Sequence, residues 1–494
     1  MKIKNYIISL LLFCGFTGLI NLQAQNNIDS LTLQDGKLIL NLETAIDIAL
    51  SENPSIKVAD MEITKKEYAN KSAKGALLPQ LDLIGQYQRT IKRQTVYFDG
   101  GFGIGGDIDP TKYTPEELKI AQVIGKLFAP DPSTSSSSEG VQMGRFNMWT
   151  TGLNVSLPLI VPSLWKNIQM TEVDIELAIE QSRASKINMV NQVTKAFYSM
   201  LLAQDSYRVF KETYTTDSLN LVNITNRFKQ GVVAEYDVIT ADVRMKSLIP
   251  TILQSENMMK IAEIQLKMLM GIDSEVPLKI EGALTDYEED IFNTLIPADT
   301  SLMNNSDLKQ FDLGTQQAKN VVELQKSQFY PVLTSSFNYS YMSQNNDFKF
   351  KDYRWDPYSV VGITLSIPLF NGGQRYHNLK QSQIQVNQLQ EQRKDVERGL
   401  KLQIKNSMDL INKNIEQIIA TQSSIKQAQK GYEITVKRYE TGLGTIVDVN
   451  SAALAVTNAQ LQYRNAIYDY LAAKTDLEKV LGYSVNPFGV ETNK

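Results

Sequence analysis

Two proline-free runs of about 67 residues constrain this chain more than any other feature. No proline interrupts the sequence from Pro162 to Lys229, and Gly231 is the first glycine after it. From Gln374 to Thr441 there is no proline, and only Gly399 and Gly431 interrupt. As helices, each run spans roughly 100 Å at 1.5 Å per residue. Their apolar residues form a narrow stripe. Val386, Leu389, Val396, Leu400, Ile404, Ile411 and Ile418 advance by threes, fours and sevens, and Ile175, Ile179, Val190, Phe197 and Leu201 do something similar. Such a stripe packs as a coiled coil, and the Gln, Asn and Lys residues on the other faces predict water on both sides of a helix layer.

The two runs belong to a duplication. "TTGLNVSLPL" (150–159) matches "VVGITLSIPL" (360–369), and "LKMLMG" ending at Gly271 matches "LEKVLG" ending at Gly482. "FKQGVVAEYDVITA" (228–241) matches "YETGLGTIVDVNSA" (439–452), so that Gly231 answers Gly442 and Asp237 answers Asp448. Each half reads helix, strand, loop, strand, long helix, tight turn, helix. The first half carries about 42 extra residues between its strands, with turn-rich "DGGFGIGGDIDP" and serine-rich "PDPSTSSSSEG", which predict a long flexible loop.

Four segments alternate with period two. Trp149, Thr151, Leu153, Val155 and Leu157 oppose Thr150, Asn154 and Ser156; Val361, Ile363, Leu365, Ile367 and Leu369 oppose Gly362, Thr364, Ser366 and Pro368. Leu333, Phe337, Tyr339 and Tyr341 oppose Thr334, Ser336, Asn338 and Ser340, and Leu81, Leu83 and Tyr87 oppose Asp82, Gln86 and Gln88. Each is about ten residues long, enough to cross a bilayer at a tilt. Four strands cannot close a barrel, and open edges are not tolerated in lipid. Three copies would supply twelve strands and leave a lumen lined by Asn154, Ser156, Thr364 and Ser366. The competing class is a secreted coiled-coil adhesin or scaffold without a pore, which explains the helices but not the strands.

The N-terminus reads as a secretory signal, with Lys2 and Lys4 before an apolar Tyr6–Ile20 and cleavage expected before Gln25. Cys14, the single cysteine, leaves with it, which suits an oxidising compartment. A formal charge of −4 gives no basic field for nucleic acid. His377 is the one histidine, so a Cys/His zinc centre or thiol catalysis has no ligands, and no acid–base pair stands out. Gly101, Gly103 and Gly106 spell GxGxxG, but inside a loop rather than between strand and helix. Neither an enzyme nor a cofactor is expected.

The turns are the candidate sites. Gly231 and Gly442 suit the left-handed position that ends a helix. Thr445 and Asp448 form a Thr-x-x-Asp cap, with Asp448 near the positive end of the helix dipole. Asp448 also suits a ring of carboxylates around a pore, and the two readings are compatible. Asp237 lacks the threonine, since Ala234 stands there.

Taken in order, these motifs resemble the TolC-like outer-membrane efflux proteins over almost all of the mature length. "LNLETAIDIALSENPSIK" (40–57), with its break at Asn53-Pro54, is similar to the family's opening helix, "SIPLFNGGQR" (366–375) to its strand-to-helix junction, and "YETGLGTIVDVNSA" to its second helical tip. The resemblance implies an α+β membrane protein: a homotrimeric 12-stranded β-barrel in outer-membrane lipid, continued by a periplasmic α-helical coiled-coil tunnel. It divides the chain into a signal (1–24), a first repeat (25–271), an equatorial segment (272–310), a second repeat (311–482) and a tail (483–494). Strands are expected at about 80–91, 148–158, 332–342 and 358–369, long helices at about 162–229 and 374–441, and tip turns at 230–236 and 442–445. It also implies a passive exit duct for efflux or type I secretion, with a periplasmic adaptor and an inner-membrane pump as partners. Tyr439 matches the tip tyrosine that holds Asp237 in the family's closed state. Gly444 stands where some members have a latch arginine, and Ser451 where some have a second acidic ring.

Overall fold

The computed structural model describes residues 33–34, 37–96, 114–128, 141–293 and 301–483. The expected signal, Cys14, the 101–106 glycines and all of the tail but Tyr483 lie outside them. In chain order the elements are β1 (Leu33–Gln34), β2 (Lys37–Leu40), α1 (Leu42–Glu52), α2 (Pro54–Gly75), β3 (Gln80–Arg89), β4 (Gln94–Val96), α3 (Pro115–Phe128), β5 (Val141–Met143) and β6 (Asn147–Ile160). There follow α4 (Pro162–Lys229), α5 (Glu235–Met270), β7 (Leu278–Ile280), α6 (Glu288–Asn293), α7 (Ser306–Ser327), β8 (Val332–Asn345), β9 (Asp356–Ser366), α8 (Gln374–Glu440) and α9 (Ile446–Leu481). No described helix is long and apolar enough to cross a membrane.

The chain forms two compact units, one of residues up to Thr64, Glu176–Gly314 and Leu389 onward, the other of Lys65–Ile175 and Thr315–Gln388. The second unit holds an antiparallel sheet in the order β3-β6-β8-β9. Its register sets Leu83 beside Leu153 and Tyr339, and Val155 beside Phe337 and Val361, so one face is apolar. The other face carries Asp82, Asn154, Asn338, Ser336 and Gly362. Among the described residues neither edge strand has an outer partner, and the apolar face is bare: Leu83 is 78% and Val361 72% exposed.

Glycine at 152 is a steric requirement of this sheet. A Cβ there would lie 2.4 Å from the Tyr339 carbonyl oxygen and 2.5 Å from Ser340 Cα. Gly152→Val is therefore expected to break the β6–β8 pairing. In outer-membrane fractions the folded, heat-modifiable species should be lost; a normal yield would contradict the close approach.

Two local expectations change. Strand β9 stops at Ser366, so Ile367 and Leu369 are not part of it. Ser366 already pairs with Val332, the first residue of β8, and Pro368 has no N–H to extend the ladder. The expected loop after β3 contains a small sheet, β4 with β5, and the helix α3. The Thr114-Pro115-Glu116-Glu117 start explains the helix. Both the backbone N–H (3.0 Å) and the hydroxyl (2.8 Å) of Thr114 donate to Glu117 Oε2, and proline is preorganised for the first helical position.

In the first unit, β2 runs parallel to β7 with Leu38 opposite Leu278 and Leu40 opposite Ile280. Around them Phe197, Leu201, Leu266, Met270 and Ile467 are fully buried, each contributing about 1.5–3 kcal/mol by leaving water. Asp205, also fully buried, accepts the Leu284 N–H at 3.1 Å and an Arg208 guanidinium N–H at 2.6 Å.

The duplication extends to single hydrogen bonds. Helices α5 and α9 end at Gly271 (φ 72°) and Gly482 (φ 76°). The Asn53 side-chain amide donates to the Leu269 carbonyl at 2.7 Å, and the Asn305 amide donates to the Val480 carbonyl at 2.7 Å. Each asparagine's oxygen then accepts a backbone N–H of the helix that follows it, from Ser55 (2.8 Å) and Leu308 (3.0 Å). One side chain thus binds the end of one helix to the start of another, twice.

Candidate functional site

The helices α4 and α5 meet at 230–234, and α8 and α9 at 441–445. Both reversals close with the same pair of bonds. Gly231 N–H donates to Phe228 O (2.8 Å) and Val232 N–H to Arg227 O (3.0 Å); Gly442 N–H donates to Tyr439 O (3.1 Å) and Leu443 N–H to Arg438 O (2.8 Å). The glycines have φ of 74° and 76° with open space around them, so backbone conformation, not crowding, demands glycine.

The restarts differ. At α9, Asp448 Oδ2 accepts both the N–H (3.0 Å) and the hydroxyl (2.9 Å) of Thr445, and Thr445 Oγ1 accepts the Asp448 N–H (3.2 Å). The Thr445 N–H and hydroxyl hold the Asp448 carboxyl below the usual carboxylate range. At α5, Ala234 offers no side-chain cap. Asp237 instead accepts a hydrogen bond from the Tyr439 hydroxyl of the other hairpin at 2.9 Å. Tyr439 packs with Ile224, Ala241, Ile446 and Val449, and is 8% exposed. Burial and the Asp237 hydrogen bond push its phenol up to about 12.

Of the expected residues, then, the structure brings Asp237 to Tyr439 and Asp448 to Thr445. Gly444 packs tightly: a Cβ there would meet Arg438 Cβ at 3.3 Å. The Ser451 hydroxyl turns back to its own helix, donating to Val447 O at 2.9 Å. A guanidinium is nevertheless present at the tip. Arg227 lies over the Tyr439 ring, 5.2 Å from its centroid, and donates to the Glu440 carbonyl at 3.1 Å.

Sequence reasoning missed Arg227, and it missed a second charge cluster. Asp217 on α4 and Arg244 on α5 have side chains 6% and 16% exposed, with Oδ2 and Nε 3.0 Å apart. Arg244 also donates to the Asn450 carbonyl on α9 at 2.7 Å. One ion pair thereby joins three of the four tip helices. The available signal was register: Asp217 is buried along α4 with Leu201, Val209 and Ile224.

Comparison with known proteins agrees with this architecture. The sequence pattern of the outer membrane efflux proteins matches residues 128–272 and 298–483. The outer membrane protein TolC of Vibrio cholerae is 22% identical over 338 residues, 68% of this chain and 77% of its own. The alkaline protease secretion protein AprF of Pseudomonas aeruginosa is 22% identical over 361 residues, 71% of this chain and 73% of its own. The fold is shared with the CmeC outer membrane channel of Campylobacter jejuni (TM-score 0.66, 17% identity, 90% of this chain and 85% of that one). It is shared also with CusC (TM-score 0.68, 16% identity, 94% and 96%). With the family pattern covering more than half of its length, the chain belongs to the outer membrane efflux protein family, and so to the outer membrane and to export by a channel rather than to catalysis.

Proposed function

We propose that three copies of the chain close a twelve-stranded barrel and form the passive exit duct of a tripartite efflux or type I secretion system. The carrying observation is the sheet: apolar on one exposed face, polar on the other, with two open edges that lipid does not tolerate. Joining β3 of one copy to β9 of the next removes every edge, and twelve strands leave a lumen. The long helices then carry the duct into the periplasm. A passive tube needs an energised pump in the inner membrane and a periplasmic adaptor; residues 226–236 and 437–447 at the tips are the proposed docking segments. The AprF relative is named for protease secretion, which supports a secretion system as one setting.

In this reading Tyr439 and Asp237 hold the tip closed, and three Asp448 carboxylates face the exit path. Asp448 keeps its charge at neutral pH because its folded pKa lies below the ordinary 3.8. Its capping contribution is therefore complete above pH 3.8 and fades only as pH falls through the lower folded value. Single-channel recording in planar bilayers tests the reading. The purified trimer should conduct with a preference for cations, and Asp448→Asn should reduce that preference. An unchanged reversal potential would reject the ring, and absence of conductance even after Asp237→Ala would reject the duct.

A further inference from the structure

At the end of the sheet away from the helix junctions, the β8–β9 connection folds back onto the apolar face. The Tyr87 ring stacks on Trp149 with centroids 4.3 Å apart, Phe350 meets Trp149 edge-on at 5.2 Å, and Phe348 lies 6.3 Å from Tyr87. Tyr87 and Trp149 share their face with Leu83, Leu153 and Val155. The fold-back is pinned by polar contacts. Phe146 N–H donates to Asn346 Oδ1 (3.0 Å), the Asn147 amide donates to the Asp347 carbonyl (3.2 Å), and the Tyr353 hydroxyl donates to that same carbonyl. Phe348 and Phe350 remain 52% and 54% exposed.

Cations flank these rings, outnumbering the neighbouring carboxylates of Asp347 and Asp352. The Arg89 guanidinium lies over Phe348 at 5.9 Å and the Arg93 guanidinium over Phe146 at 4.8 Å. Lys349 and Lys351 alternate with Phe348 and Phe350 and are exposed. Among the described residues, Arg93 Nε is buried and finds no hydrogen-bond acceptor. Moving along the outer face, the order is aliphatic, then aromatic, then cationic. That is the order of a bilayer from its hydrocarbon through its boundary to an anionic headgroup layer.

We infer that this rim binds a phosphate-bearing lipid headgroup of the outer leaflet, with Arg89, Arg93, Lys349 and Lys351 on the phosphates and Phe146 and Phe348 beneath the headgroup. The inference rests on the barrel reading for its orientation. Charge complementarity selects a lipid over a protein partner: the cations flank the apolar face that must itself be covered by acyl chains, so one molecule satisfies both. A guanidinium stacked on a ring can still direct its terminal N–H groups to a phosphate.

Native mass spectrometry of the detergent-purified trimer tests this, with diphosphorylated lipid A as the probe. The wild-type protein should retain it in preference to phosphatidylcholine, and inorganic phosphate at equal concentration should not displace it. The combined variant Arg89→Gln, Lys349→Gln, Lys351→Gln should bind the probe roughly a hundredfold more weakly, at about tenfold or less per charge. Lys349→Arg with Lys351→Arg should bind it like wild type. Equal retention of phosphatidylcholine by wild type, displacement by inorganic phosphate, or undiminished binding by the glutamine variant would overturn the assignment. Bilayer conductance of the same samples separates the two readings. A conducting protein without lipid preference removes the rim site alone, whereas failure of the duct leaves the adduct measurement intact.

Discussion

Tyr439→Phe is expected to raise the conductance of the reconstituted channel. The substitution removes one hydroxyl and leaves the ring among Ile224, Ala241, Ile446 and Val449, under the Arg227 guanidinium. What is lost is the 2.9 Å bond to Asp237, a side-chain hydrogen bond between the two hairpins at their turns. A hydrogen bond to a charged group contributes about 1.5–3 kcal/mol, so the open fraction should rise about tenfold to a hundredfold. Asp237→Ala should act the same way. The pH dependence has a definite sign. The folded phenol titrates at about 12 against an ordinary 10, so the fold favours the protonated form. The contact is complete below pH 10 and is lost as pH rises toward 12, and conductance should climb only over that interval. Conductance unchanged in both variants would remove the gate assignment.

A larger effect on stability is expected behind the turns. Asp217→Ala leaves Arg244 buried without a counter-charge, which costs about 3–5 kcal/mol. The loss should be local to the hairpins, because Asp217 is on α4, Arg244 on α5 and the accepting carbonyl of Asn450 on α9. Hydrogen exchange of the amides flanking residues 217 and 244 should accelerate by at least about a hundredfold, with amides around the buried Phe197 core unaffected. Replacing both partners, Asp217→Leu with Arg244→Met, should return exchange to the wild-type rate or below it, since the pair is then absent rather than broken. A double variant as labile as the single one would show that the ion pair itself, not the stranded charge, holds the helices.

The sequence made some of this legible and hid the rest for physical reasons. Period-two alternation exposes a strand whose two faces meet different media, and the alternation at Leu153, Val155, Leu333 and Phe337 is what the sheet register displays. The Thr445–Asp448 cap was legible because both partners lie within one helical turn. The Tyr439–Asp237 bond had no local signal; those residues are brought together by two hairpins, and only family resemblance paired them. Arg227 was hidden because an arginine in the last turn of a helix has an ordinary explanation in the dipole. Helix α3 was missed because glycine and serine on either side outweighed a four-residue start signal. The resemblance implies an arginine at 444; here the guanidinium over Tyr439 is Arg227 of the first hairpin, and Arg438 of the second donates to the Leu443 carbonyl at 3.2 Å.

The paired asparagine clasps have a consequence for how such a chain is put together. Asn53 ties the beginning of the first half to its own end at Leu269, and Asn305 ties the beginning of the second half to its end at Val480. Each clasp is made by residues on one side of the duplication. The segment between the halves supplies the second clasp through Asn305 and, through β7, a partner for β2. A permuted chain that starts at the second half and ends with the first would meet no clasp it had to break.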